Sequence, residues 1–190
     1  MKRALLAALL ILGALSAQPT CNKCSATYIA ASEMEQYKQR AIANRIVDQQ
    51  VRAVDIGKAH IGIGMIYRGK LDKPQTGSVA EHDQVSEVYH IIDGSATLVT
   101  GPDIVGAKPR PPDSETVRLL NGPGSNGETI NNGATYQLKP GDVIVIPAGV
   151  GHWYTKIDDH ITYMMVRIDP DRVVPLKDEA ASKADLAKGR

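Results

Sequence analysis

Glu81-His82-Asp83-Gln84-Val85-Ser86-Glu87-Val88-Tyr89-His90-Ile91-Ile92-Asp93-Gly94 sets two histidines among acids at the start of a β-strand pattern. Alternate residues of a strand share a face. Glu87, Tyr89 and Ile91 therefore fall on one side, and Val88, His90 and Ile92 on the other. The Asp93-Gly94 pair, followed by the apolar run to Thr100, is a hairpin signal. His82 precedes Glu87 by five positions, across an expected bend at Asp83-Gln84, and can swing back to the Glu87 face. A second stretch, Gly141-Asp142-Val143-Ile144-Val145-Ile146-Pro147-Ala148-Gly149-Val150-Gly151-His152, ends a strand in a rigid turn that delivers another histidine. Two imidazoles and one carboxylate suit a divalent transition metal with open coordination positions. Such positions admit water or substrate.

The same residues carry a family resemblance. His82, four residues, Glu87, six residues, Gly94 matches the end of one motif of the cupins. Gly141, five residues, Pro147-Ala148-Gly149, two residues, His152 matches the other without a gap. The chain resembles the cupins over roughly residues 60–168. That resemblance implies an all-β fold, a double-stranded β-helix or jelly-roll barrel, often assembled as a homodimer. It implies that His82, Glu87 and His152 point inward onto one metal: Fe, Mn, Ni or Zn. Ala80 stands where the family's first motif histidine falls, Pro74 where a glycine is expected, and Lys156 where the second motif ends in Asn. The set carried over is therefore three ligands. His60 is the candidate replacement for the ligand missing at Ala80, and His90 faces outward by parity. Tyr89 shares the Glu87 face, either as an acid or base or as a core hydrogen-bonding group. Gln84 and Trp153 are expected at the pocket wall, Glu81 and Asp83 in solvent or at the rim, and His160 in a loop.

Around this centre the periodicity changes along the chain. Ser32-Glu33-Met34-Glu35 has the form of a capping box, predicting a helix from about Glu33 to about Ile46. From Gln50 the period is two. Gly62 and Gly64 share one strand face, which predicts a close neighbour there. Residues 101–133 are rich in Gly, Pro, Asn and Asp and read as a long functional loop, with one short strand over Val117–Leu120. Strands resume at Ala134–Leu138, Asp142–Ile146 and Ile161–Ile168, and Lys177–Lys188 reads as a solvent-facing helix or tail.

The N-terminus reads as an export signal. Met1-Lys2-Arg3 is basic, Ala4 to Leu15 is apolar, and small residues follow at Ser16 and Ala17. The run is shorter than the roughly 20 residues of a membrane span. The expected parts are a signal peptide at 1–17, an N-terminal segment with helix and first strand at 18–58, the barrel at 59–168, and a C-terminal tail or helix at 169–190. A secreted or periplasmic location follows, with no membrane attachment after cleavage. Cys21 and Cys24 then form a local disulfide or stay as terminal thiols, because no strand precedes them as a redox motif requires. Losing Lys2 and Arg3 takes the basic residues from 22 to 20 against 21 acids. That balance offers no basic patch for nucleic acid. The sequence points to a metal-dependent enzyme on a small molecule, of dioxygenase, isomerase or lyase type. The alternative is a non-catalytic cupin that binds a small ligand or metal, or acts structurally as a dimer.

Overall fold

The computed structural model describes residues 25–188. The expected signal peptide and both cysteines lie outside the described residues. The chain opens with α1 (Ala31–Asn44), followed by β1 (Gln50–Asp55), β2 (His60–Leu71), β3 (Val79–His82), β4 (Ser86–Gly94) and β5 (Ala96–Gly101). Next come β6 (Ile104–Val105), β7 (Lys108–Pro109), a π-helical segment (Thr116–Asn121), β8 (Gly124–Gly127) and β9 (Thr129–Ile130). The chain continues through β10 (Ala134–Leu138), β11 (Val143–Ile146), β12 (Gly151–Asp169) and α2 (Glu179–Ala187).

β12 joins two sheets into one barrel. Its first half lies between β3 and β5, and its second half between β2 and β4. One sheet therefore runs β1-β2-β12-β4-β11, the other β7-β8-β3-β12-β5-β10, all antiparallel. Register shifts at Tyr154/Lys156 and Ile157/His160 let the strand turn from one sheet to the other. The polar run from Lys156 to His160 hid this continuity from the sequence pattern. His160 consequently sits in a strand, not a loop, with its ring between the carboxylates of Asp159 (2.7 Å) and Asp93 (3.1 Å).

The barrel interior is apolar at one end, around Ile91, Leu98, Tyr154, Ile161 and Tyr163. At the other end it is polar. Gly62 and Gly64 face that end, and the expected close neighbour is present: Gln50 and the side chain of Arg167 lie against them. A smaller cluster of Tyr37, Val51 and Met65 seats α1 on the outside of β1 and β2.

Two other expectations are corrected and a third is narrowed. Ser32 lies within α1 and does not cap it. The carbonyl of Ala30 accepts from the amides of Glu33 and Met34, while the Glu33 carboxylate pairs with buried Arg52 at 2.9 Å. Val117–Leu120 belongs to the π-helical segment, because Ser114 accepts from the Val117 and Arg118 amides and begins a helical turn. The C-terminal segment is a docked helix: Asp178 caps it by accepting from Ala181 (2.8 Å), and buried Ser182 meets Tyr37 and Arg52.

Gly94 explains its place in the first motif. Its φ is +77°, and a Cβ there would run into the His160 carbonyl across the β4–β12 pair. Gly94→Ala should destabilise the fold by about 2 kcal/mol, lowering Tm by about 4–8 °C. An unchanged melting curve would contradict this seating.

Candidate metal centre

The three ligand candidates arrive from three strands. His82 ends β3, Glu87 lies near the start of β4, and His152 is the second residue of β12. Two hydrogen bonds tie the motifs together. The Gly149 amide donates to the His82 carbonyl at 2.8 Å, and the Ala148 amide to the Ser86 hydroxyl at 3.0 Å. The Pro147-Ala148-Gly149 turn thus fixes the backbone on either side of the Asp83-Gln84 bend.

His82 Nε2 lies 3.4 Å from Glu87 Oε1, and His152 Nε2 lies 3.6 Å from Glu87 Oε2. One ligand atom from each residue falls within 4.8 Å of the others. Among the described residues, these are the His, Cys, Asp or Glu side chains grouped closely enough to share an ion. All three are buried, and Glu87 is only 1% exposed.

Burying a carboxylate is costly unless its neighbours replace water. The Tyr89 hydroxyl donates to Glu87 Oε2 at 2.6 Å. Arg167 Nε lies 3.7 Å from Oε1, although the other end of that guanidinium is held by Asp48 and Gln50. Burial alone would raise the Glu87 pKa; His82, His152 and Arg167 outweigh it and hold the group well below the ordinary carboxylate range. Burial pushes His152 down to about 4, against the pull of Glu87. At neutral pH that imidazole is uncharged, with Nδ1 3.4 Å from the Val150 carbonyl oxygen, leaving Nε2 for a cation. Burial and the Glu87 charge raise the Tyr89 pKa, so its phenol stays protonated as a donor. Buried, converging, one carboxylate with two imidazoles: this donor set fits a divalent transition metal.

The cluster lines a cavity of about 490 Å³. Tyr89 is in its wall, as is Ala80, which pairs with His152 across β3 and β12. Gln84 and Trp153 are not. Gln84 turns toward Asp171 (3.4 Å), and Trp153 takes the opposite face of β12 from His152, where its Nε1 donates to Ser78 Oγ at 2.9 Å. His60 is not part of the cluster either; its Nδ1 meets the Val174 carbonyl at 2.9 Å. His90 faces outward and is exposed, so the outer side of β4 is not covered by the N-terminal helix. Asp83 is exposed, whereas Glu81 is buried and its Oε2 accepts from the Ser125 amide at 3.1 Å.

Sequence reasoning missed Arg68, Arg110, Asn121 and Arg167. The first three line the cavity, and the last backs Glu87. Arg110 and Asn121 come from the 101–133 segment. Arg110 Nη1 donates to the Glu81 carbonyl (2.9 Å) and lies 3.3 Å from His82 Nδ1. Asn121 Nδ2 lies 3.4 Å from His82 Nε2.

Residues 127–185, just under a third of the chain, match the family model of the AraC-like ligand binding domain. No curated protein matches the chain. Among solved structures, BH2720 from Bacillus halodurans is 13% identical, with a TM-score of 0.44, over 83% of this chain and 93% of its own. A putative mannose-6-phosphate isomerase from Ralstonia eutropha JMP134 is 15% identical, with a TM-score of 0.39, over 65% of this chain and 86% of its own. The DMSP lyase DddQ from Ruegeria pomeroyi DSS-3 is 13% identical, with a TM-score of 0.36; the overlap spans 59% of this chain and only 40% of the lyase. Overlaps this loose transfer no activity. The β-barrel carries both stretches that resemble the cupin motifs, and the second of them lies within the residues that the family model matches.

Proposed function

We propose that this protein is a metal-dependent cupin enzyme that binds one divalent ion through His82, Glu87 and His152 and acts on a small anionic molecule. The observation that carries the reading is the convergence of three buried donor groups at the wall of a cavity. A metal held there would polarise a substrate oxygen in its open positions. Tyr89 serves as a positioning residue, holding the Glu87 carboxylate in place. The metal is one of Fe, Mn, Ni or Zn.

The anionic character of the substrate follows from charge. Arg68 and Arg110 line the cavity, and no carboxylate among the described residues pairs with either. The acids in the wall are Glu87 and Asp48, and Asp48 is bound by Arg167. Arg68 Nε reaches the Tyr163 hydroxyl at 3.4 Å, and its guanidinium stacks over the Tyr154 ring at 4.8 Å. With a divalent ion in place, the cavity carries excess positive charge, and a small carboxylate would engage a guanidinium fork.

A second reading is favoured by the match to an AraC-like ligand binding domain. In it the same cavity binds a small molecule without turnover. Assembly is part of the proposal in either case. The outer face of β4 and β11 is largely apolar and bare around His90, with Val143 61%, Val145 62% and Ile92 43% exposed. A patch of this kind marks an interaction site, and a second copy of this face would cover it in a two-fold dimer.

Three measurements follow. Elemental analysis of the purified protein should find about one divalent metal per chain, and His152→Ala should lose at least tenfold in metal affinity; no metal in the wild-type protein, even after reconstitution, would contradict the reading. Calorimetric titration of the metal-loaded protein with oxalate should show binding that Arg68→Gln weakens by about tenfold or more, whereas equal affinity would remove Arg68 from the ligand site. Light scattering should give a dimer mass that falls to a monomer mass in Val145→Asp, and a monomeric wild-type protein would remove the dimer.

A further inference from the structure

Metal sites with three protein ligands and sites with four differ in how much room they leave for substrate. The family's fourth ligand position holds Ala80, whose methyl group cannot bind a cation. The space beside His82 is not bare, however. Asn121, the last residue of the π-helical segment, brings its amide to the ring nitrogen that faces Glu87.

We propose that Asn121 supplies the fourth protein ligand through its amide oxygen. This rests on the metal reading above. Three observations support it. First, Asn121 is 6% exposed, and its Oδ1 is buried without a hydrogen-bond partner. A buried orphan acceptor is costly and calls for an explanation. Second, the amide as placed conflicts with its neighbour. His82 Nε2 cannot both accept from Asn121 Nδ2 and donate to Glu87 Oε1, which lie 3.4 Å away on either side. Rotating the amide by half a turn presents Oδ1 to His82 and removes the conflict, with Nδ2 taking the buried position that Oδ1 leaves; the two amide orientations are distinguished by their hydrogen bonds.

Third, the spacing between neighbours in the cluster is close to that of adjacent ligands on one ion. Two donor atoms held about 2.1 Å from a metal, at angles between octahedral and tetrahedral, stand about 3.0–3.4 Å apart. The Asn121 amide position that Oδ1 takes after the rotation lies 3.4 Å from His82 Nε2, which lies 3.4 Å from Glu87 Oε1, and Glu87 Oε2 lies 3.6 Å from His152 Nε2, a chain near that range.

The backbone holds Asn121 there. Gly122 follows with φ +66°, and a Cβ at that position would collide with Val173. The long segment between the motifs thus replaces a strand histidine by an amide from a helical turn. An amide oxygen is a harder, weaker donor than imidazole and favours metals that accept oxygen ligands.

The test is cobalt(II) binding by metal-free wild type, Asn121→Ala and Asn121→Asp, followed by chelator competition and by the visible absorption of bound cobalt. Asn121→Ala should weaken binding by about 10–100-fold and shift the cobalt bands, while Asn121→Asp, which keeps an oxygen donor, should bind at least as tightly as wild type. Should the alanine variant fail to fold, the aspartate variant decides: tighter binding with altered bands supports ligation, and unchanged affinity and bands overturn it. Equal affinity and identical spectra in Asn121→Ala would also overturn it. Failure of wild type itself to bind cobalt would remove the metal reading, and this inference with it.

Discussion

A carboxylate sealed inside a β-barrel has to be surrounded by groups that replace water, and Glu87 organises the polar end of this barrel for that reason. His82, His152, Tyr89 and Arg167 each turn a polar atom toward it. Arg167 in turn needs Gln50 and Asp48, and its path along the sheet needs glycine at 62 and 64. Arginine alone does not account for the arrangement. Its terminal nitrogens are engaged elsewhere, and its Nε keeps a buried hydrogen without a partner. Two imidazoles on the other side of the carboxylate are what make the cluster suitable for a cation.

Much of the centre was legible because motif spacing and strand parity are local properties. Parity put Glu87 and Tyr89 inside and His90 outside, and the structure has them so. The Asp83-Gln84 bend brings His82 back to Glu87, and the Pro147-Ala148-Gly149 turn delivers His152. Parity was also available for Trp153: if His152 points inward, its neighbour points outward. What local pattern could not show was pairing across the sequence. Arg167 reaches Glu87 only because β12 lies beside β4, and Arg110 reaches His82 only because β7 and β8 fold back along β3. The polar composition of residues 101–133 signalled a loop, yet the segment contributes short strands, a helical turn and six cavity residues, Arg110 and Asn121 among them.

The fold separates two surfaces with opposite chemistry. At the polar end of the interior, charge and hydrogen bonding dominate, with two cavity-wall arginines that no carboxylate among the described residues pairs with. Outside, the same strands present Val143, Val145 and Ile92 to solvent, so each side of one sheet carries a distinct expected interaction. Because β4 serves both surfaces and pairs with β12, packing on the outer face would stiffen the strands that hold Glu87 and Arg167.

The central claim is that Glu87 and the two histidines share one metal ion. Anomalous diffraction from crystals grown with zinc tests it most directly, because it locates the ion without reference to activity. One strong peak is expected about 2.0–2.2 Å from His82 Nε2, His152 Nε2 and a Glu87 carboxylate oxygen. A well-ordered barrel with no peak in this cluster would contradict it.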